Sequence, residues 1–136
     1  MKAVSVASII LLTACSAGLP PEERLDGIDW KLMQVNSMPW VYDVSLRLDG
    51  DRLSGVLPCN AYSGARAGTA PAFGALDLEV TEMACADPGR VEAEAEYLAH
   101  LARAIAIERE GGLMILTGPD TELIFEPREA RGDEVF

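Results

Sequence analysis

From Ile28 onward the chain alternates apolar and polar positions in short runs broken by turn residues. Ile28 to Val35 is the first such run. Val44, Leu46 and Leu48 then alternate with Ser45, Arg47 and Asp49, the two-residue period of a half-buried strand. Asp49-Gly50-Asp51 supplies a hairpin turn, and Arg52 to Leu57 returns antiparallel. Ala65 to Thr69 reads as a weaker strand, followed by a turn over Pro71 to Gly74. Leu76, Leu78 and Val80 alternate with Asp77 and Glu79 in a further amphipathic strand. Near the C-terminus, Ile105 to Arg109, Leu113 to Thr117 and Thr121 to Glu126 are separated by Gly111-Gly112 and Gly118-Pro119-Asp120.

One segment follows a helical period instead. Asp87 suits a helix cap, and Pro88 suits the first helical position, where its missing N–H costs nothing. The helix is expected over about residues 88–104. At about 100° per residue, Val91, Ala95, Leu98, Leu101, Ala102 and Ile105 share one stripe. Glu94 then faces the edge of the core near Leu98, while Glu96 and His100 point to solvent on the opposite side. Seven or eight short strands with one helix predict a mainly β fold: a small antiparallel β-barrel-like sheet with the helix laid over an open end or face.

Before Ile28 the chain is built differently. Lys2 precedes an apolar run, Ala3 to Leu12, too short to cross a bilayer but suited to the core of a signal peptide. It leads into Leu12-Thr13-Ala14-Cys15, which resembles the bacterial lipobox, in which the cysteine is lipidated and becomes the new N-terminus. The expected organisation is a signal peptide over 1–14, a lipidated end and proline-containing tether over 15–27, a folded domain over 28–126 and a charged, frayed tail over 127–136. Ser16 after Cys15 resembles the sorting signal for the outer membrane in Gram-negative lipoproteins. The expected location is thus the bacterial envelope, anchored by lipid and facing the periplasm.

Composition narrows the partners. The 136-residue chain carries 22 acidic against 11 basic residues, a formal charge of −11, and loss of Lys2 with the signal peptide deepens the excess. Such a balance repels phosphate backbones and anionic headgroups, so no nucleic-acid partner is expected and the acyl chains must supply membrane affinity.

With Cys15 committed to lipid, Cys59 and Cys85 remain in an exported chain, the number a single disulfide uses. Closing a loop of about 26 residues would stabilise the fold by roughly 3–4 kcal/mol in the chain-entropy model. The alternatives are two buried free thiols or a chemically active pair. The wide spacing is unlike a Cys-x-x-Cys redox motif, and with His100 as the sole histidine a zinc site lacks ligands. No metal or cofactor is expected. Nor is there a nucleophile elbow or phosphate-binding glycine loop, so no catalytic residue is assigned and a non-enzymatic role is expected.

The order of several short pieces carries a resemblance. Trp30-Lys31-Leu32, Leu53-Ser54-Gly55, Cys59-Asn60-Ala61-Tyr62-Ser63-Gly64, Thr81-Glu82-Met83-Ala84-Cys85, a helix ending Tyr97-Leu98-Ala99-His100-Leu101 and a leucine-rich closing hairpin follow one another. The set resembles the META domain, the family that includes the HslJ-type heat-shock lipoproteins, over roughly Ile28 to Glu126. Pro58 departs from it, standing where the family usually has glycine. The resemblance implies a small β-barrel-like fold with a helix and, through its heat-shock members, a link to envelope stress; it implies no defined activity.

Glu94 also matches the family's helix glutamate. An inward carboxylate needs donors; the expectation is that it accepts hydrogen bonds from N–H groups of the Cys59–Gly64 loop or pairs with an arginine, pinning helix to barrel, the alternative being a side chain leaning into water. Asn60, Tyr62 and Gly64 suit a tight loop there, the alternative being that they line a ligand pocket. Trp30 and Trp40 suit core or rim packing, against a stacking site for an external ligand. Three functions follow, in descending order: a structural or interaction module for an envelope protein partner, a barrel holding a small ligand in its mouth, or an envelope hydrolase or redox enzyme.

Overall fold

A computed structural model describes residues 24–128. The signal peptide, Cys15, the tether before residue 24 and the tail beyond residue 128 lie outside these residues.

The strands are β1 (Asp29–Val35), β2 (Met38–Pro39), β3 (Ser45–Asp49), β4 (Arg52–Val56), β5 (Ala61–Ala67), β6 (Gly74–Val80), β7 (Ala106–Glu110), β8 (Leu113–Gly118) and β9 (Thr121–Pro127), with helix α1 (Pro88–Arg103) between β6 and β7. Eight of them form one curled antiparallel half-barrel in the order β6-β5-β4-β3-β1-β9-β8-β7, and the two-residue β2 pairs with β1. Over the described residues the fold is thus mainly β with a single helix. Its two edges meet at one point, where Phe73 N–H bonds Ile105 O (3.0 Å) and Ile107 N–H bonds Pro71 O (2.9 Å). The helix packs against β6, β8 and β9.

The interior is filled by side chains. Trp30, Tyr97, Phe125, Leu46, Leu48, Leu101, Met114, Leu116 and Leu123 are fully buried. At about 25 cal/mol per Å² of apolar surface, burial of these nine side chains is the main force closing the sheet around the helix.

Two bulges set which residues point inward. In β1 the pairing with β9 slips between Leu32 and Gln34, so the inward set runs Trp30, Leu32, Val35. In β6, Ala65 opposes Leu76 while Ser63 opposes Glu79, which leaves Asp77 and Leu78 facing Gly64. Asp77 takes φ +52° there. This bulge overturns the simple alternation expected for β6: Phe73 and Ala75 are buried and Leu78 packs on the core, whereas Leu76 is 52% and Val80 38% exposed.

Other boundaries move too. Strand β5 begins at Ala61, so Tyr62 and Gly64 are strand residues rather than loop residues. At the N-terminal side the packed body starts before Ile28. Leu25 packs on the core, its carbonyl accepts the Trp30 indole N–H (3.0 Å), and Asp26 pairs with Arg66 (2.6 Å) and accepts from Gly50 N–H (2.8 Å). At the other end Pro127 completes β9 and Arg128 pairs with Asp29 and Asp43, so order runs past the expected start of the tail. The hairpin from β1 to β2 turns on Asn36 and Ser37, both at positive φ, a two-residue turn that alternation alone does not announce.

The helix turns only part of the expected stripe inward, Leu101 into the core and Leu98 against it. Ala93, Glu94, Tyr97, His100 and Leu101 are buried, while Val91 and Ile105 are 47% and 63% exposed. Tyr97 and His100 can go inside because their polar tips find partners there, and leaving alanines outside costs little.

Candidate functional site

The segment between β4 and β5 is tied to two distant parts of the chain. Leu57 N–H bonds Asn60 O (2.7 Å), closing a turn that carries Pro58 and Cys59 at its tip. Cys59 is disulfide-bonded to Cys85, with Cα atoms 5.8 Å apart across 26 residues of chain. The bridge fastens this turn to the run between β6 and α1. Asp87 then caps the helix by accepting from Gly89 N–H (3.0 Å).

Glu94, 8% exposed, reaches the same turn from α1. One oxygen accepts from Cys59 N–H (2.7 Å) and the other from the Asn60 side-chain amide (3.0 Å). The orientation of that amide is dictated, because the Asn60 carbonyl oxygen accepts from the Thr81 hydroxyl (3.0 Å) and Met83 N–H (2.7 Å). Thr81 in turn accepts from Ala61 N–H (3.0 Å). Asn60 thus joins three segments, donating to the helix and accepting from the stretch that follows β6.

Beneath this knot lies a buried phenol pair. Tyr62 and Tyr97 hydroxyls are 2.6 Å apart, with ring centroids at 5.7 Å in an edge arrangement. Tyr62 spends its proton on Ser45 O (2.7 Å), so Tyr97 donates to Tyr62. Burial, reinforced by Tyr97 and more weakly by Asp29, pushes the Tyr62 phenol well up; burial likewise raises Tyr97. Tyr62 fits because residue 55 is glycine: a Cβ there would stand 1.9 Å from Ser45 O and 2.7 Å from Tyr62 Cε1. Gly64 is equally constrained, its would-be Cβ lying 2.7 Å from Leu76 O at the β6 bulge.

His100 departs from the expected solvated position. It is 7% exposed, with Nδ1 2.9 Å from Thr121 Oγ1 and 3.1 Å from Arg103 Nη2. A guanidinium has only donors, so Nδ1 is the acceptor and His100 is the neutral tautomer protonated on Nε2. Burial and the Arg103 charge hold its pKa below the usual histidine value, against a smaller opposing pull from Glu96. The i, i+4 spacing to Glu96 and i, i+3 to Arg103 were readable in sequence, but Thr121 was not.

Trp30 is fully buried beneath the Arg109 guanidinium, 5.1 Å from its ring centroid. Trp40 is half-buried, packed against the edge of the core, and with Tyr42 it faces the first turns of α1. Among the described residues no cluster of three or more His, Cys, Asp or Glu is placed to hold a metal ion.

Fold and knot together define a small half-barrel domain braced by one disulfide and one helix. The META domain family profile matches residues 23–130, and the chain belongs to that family. Two solved structures share the fold. An NMR structure of a protein from Burkholderia xenovorans is 22% identical, with TM-score 0.64 over 84% of this chain and 94% of its own. A second NMR structure is 20% identical, with TM-score 0.61 over 80% of this chain and 96% of its own. No curated protein matches the chain.

Proposed function

We propose that this META domain is a lipid-anchored interaction module of the bacterial envelope, working through its outer surface rather than through chemistry or a ligand in its interior. The filled half-barrel carries the reading: Trp30, Tyr97 and Phe125 occupy the space a barrel ligand would need. Glu94 adds support, since both carboxylate oxygens are engaged with the Cys59–Asn60 turn rather than poised for proton transfer. The Cys59–Cys85 bridge suits an oxidising compartment, as export through the Leu12–Cys15 lipobox requires. A place in envelope-stress tolerance rests on the family resemblance alone.

The test is a titration followed by amide NMR with long-chain fatty acids and other apolar small molecules. The reading predicts no saturable shifts at Trp30, Tyr97 or Phe125. Saturable shifts at those three residues would replace it with the small-ligand barrel.

A further inference from the structure

The segment after β2 runs past the N-terminal half of α1 and leaves a depression of about 270 Å³ between them, lined by Pro39, Trp40, Val41 and Tyr42 on one side and Gly89, Glu92, Ala93 and Glu96 on the other. Trp40 and Tyr42 meet edge to face with ring centroids 6.2 Å apart. Gly89 permits the close approach, because a Cβ there would lie 2.8 Å from the Tyr42 hydroxyl. Glu92 and Glu96 stand one helical turn apart, both exposed and neither in an ion pair among the described residues. The basic neighbour on this stretch of helix, Arg90, turns away toward Asp87 and Pro58 O. Beside the depression Val41 is 84% and Met38 69% exposed, a large apolar surface for a chain this charged.

We propose that this depression docks a basic peptide segment of another envelope protein, with an arginine or lysine side chain lying against the Trp40 and Tyr42 rings. Glu92 and Glu96 neutralise the cation, the aromatic rings attract it through their faces, and Val41 and Met38 cover apolar residues flanking it. The inference rests on the surface-module reading and names that surface. Charge favours a peptide over the bilayer, because a formal charge of −11 opposes approach to anionic headgroups.

The test uses the mature chain, purified from the envelope in a maltoside detergent, with acetyl-Val-Arg-Val-amide as probe and its citrulline counterpart, equal in shape but neutral, as control. Side-chain resonances of Trp40 and Tyr42 should shift saturably with the arginine peptide, and binding should weaken at least about tenfold with citrulline or in the Glu92→Gln/Glu96→Gln variant. Both glutamates are exposed, so that variant keeps its fold; Trp40→Leu is a second variant, expected to abolish the response. Equal binding of the two peptides, no shift at Trp40, or shifts produced instead by phosphatidylethanolamine–phosphatidylglycerol vesicles would overturn the proposal while leaving the filled-barrel reading standing. Peptide-induced shifts confined to Trp30, Tyr97 and Phe125 would overturn both.

Discussion

The contact between Glu94 and Asn60 can be inverted chemically. Glu94 as a carboxylate has only acceptors, and it meets two donors, Cys59 N–H and Asn60 Nδ2. Asn60 cannot flip its amide, since its carbonyl oxygen is held by Thr81 and Met83. In Glu94→Gln one of the two donors must therefore face an NH₂ group. Loss of one charge-assisted hydrogen bond and stranding of a part-buried donor should cost about 2 kcal/mol. For a domain of this size that lowers Tm by about 8–10 °C. Asn60→Asp alone should cost a similar amount, because it sets two carboxylates about 3 Å apart, and its penalty should shrink on acidification as they share a proton. The double variant Glu94→Gln/Asn60→Asp restores complementarity. Its introduced amide donates to the introduced carboxylate while still accepting from Cys59 N–H, and that carboxylate keeps the bonds from Thr81 and Met83. Thermal and urea unfolding of the four proteins give the coupling energy, expected at about 1–2 kcal/mol in favour of the double variant. Strictly additive losses, or a Glu94→Gln protein melting with wild type, would refute the reasoning.

Other outcomes follow from the same structure. Replacing Cys59 and Cys85 by alanine opens the 26-residue loop and should cost about 3.5 kcal/mol in the chain-entropy model, read as a lower urea midpoint. Tyr97→Phe removes only a donor to Tyr62 and should cost about 1 kcal/mol. Tyr62→Phe strands both Ser45 O and the Tyr97 hydroxyl and should cost about 2–3 kcal/mol; equal losses in chemical denaturation would contradict the assigned donor order. His100 has a lower pKa folded than unfolded, so below the unfolded value of about 6.5 the unfolded chain binds more protons and stability falls as pH drops through the folded value. His100→Gln should flatten that acid limb in unfolding curves measured between about pH 7 and pH 4.5, and an unchanged slope would count against a neutral His100.

Much of the fold was legible because period and punctuation agree. The β3–β4 hairpin with its Asp49-Gly50-Asp51 turn, the Asp87-Pro88 helix start and the three closing strands all appear where alternation and turn residues place them. Bulges were the main thing hidden. A strict period of two cannot announce that Asp77 will take positive φ and pass the inward role from Ala75 to Leu78. The helix face was misjudged in part for a related reason: hydropathy ranks Val91 above Tyr97 and His100, yet a long amphipathic side chain goes inside when Tyr62 or Thr121 waits for its polar tip. Glu94 could be placed near the core from helical spacing, whereas its anchoring to Asn60 depended on Thr81 and Met83 fixing the amide. The aromatic and acidic depression was invisible in one dimension, because about fifty residues separate Trp40 and Tyr42 from Glu92 and Glu96.

Export, lipid anchoring and closure by the two remaining cysteines should all be written in a single mature polypeptide. The deciding experiment is the intact mass of the chain purified from the envelope and alkylated without reduction. The prediction is a chain beginning at an acylated Cys15, with Cys59 and Cys85 taking up alkylating agent only after a reductant is added. A chain that retains Met1, lacks the acyl mass, or alkylates both cysteines before reduction would contradict it.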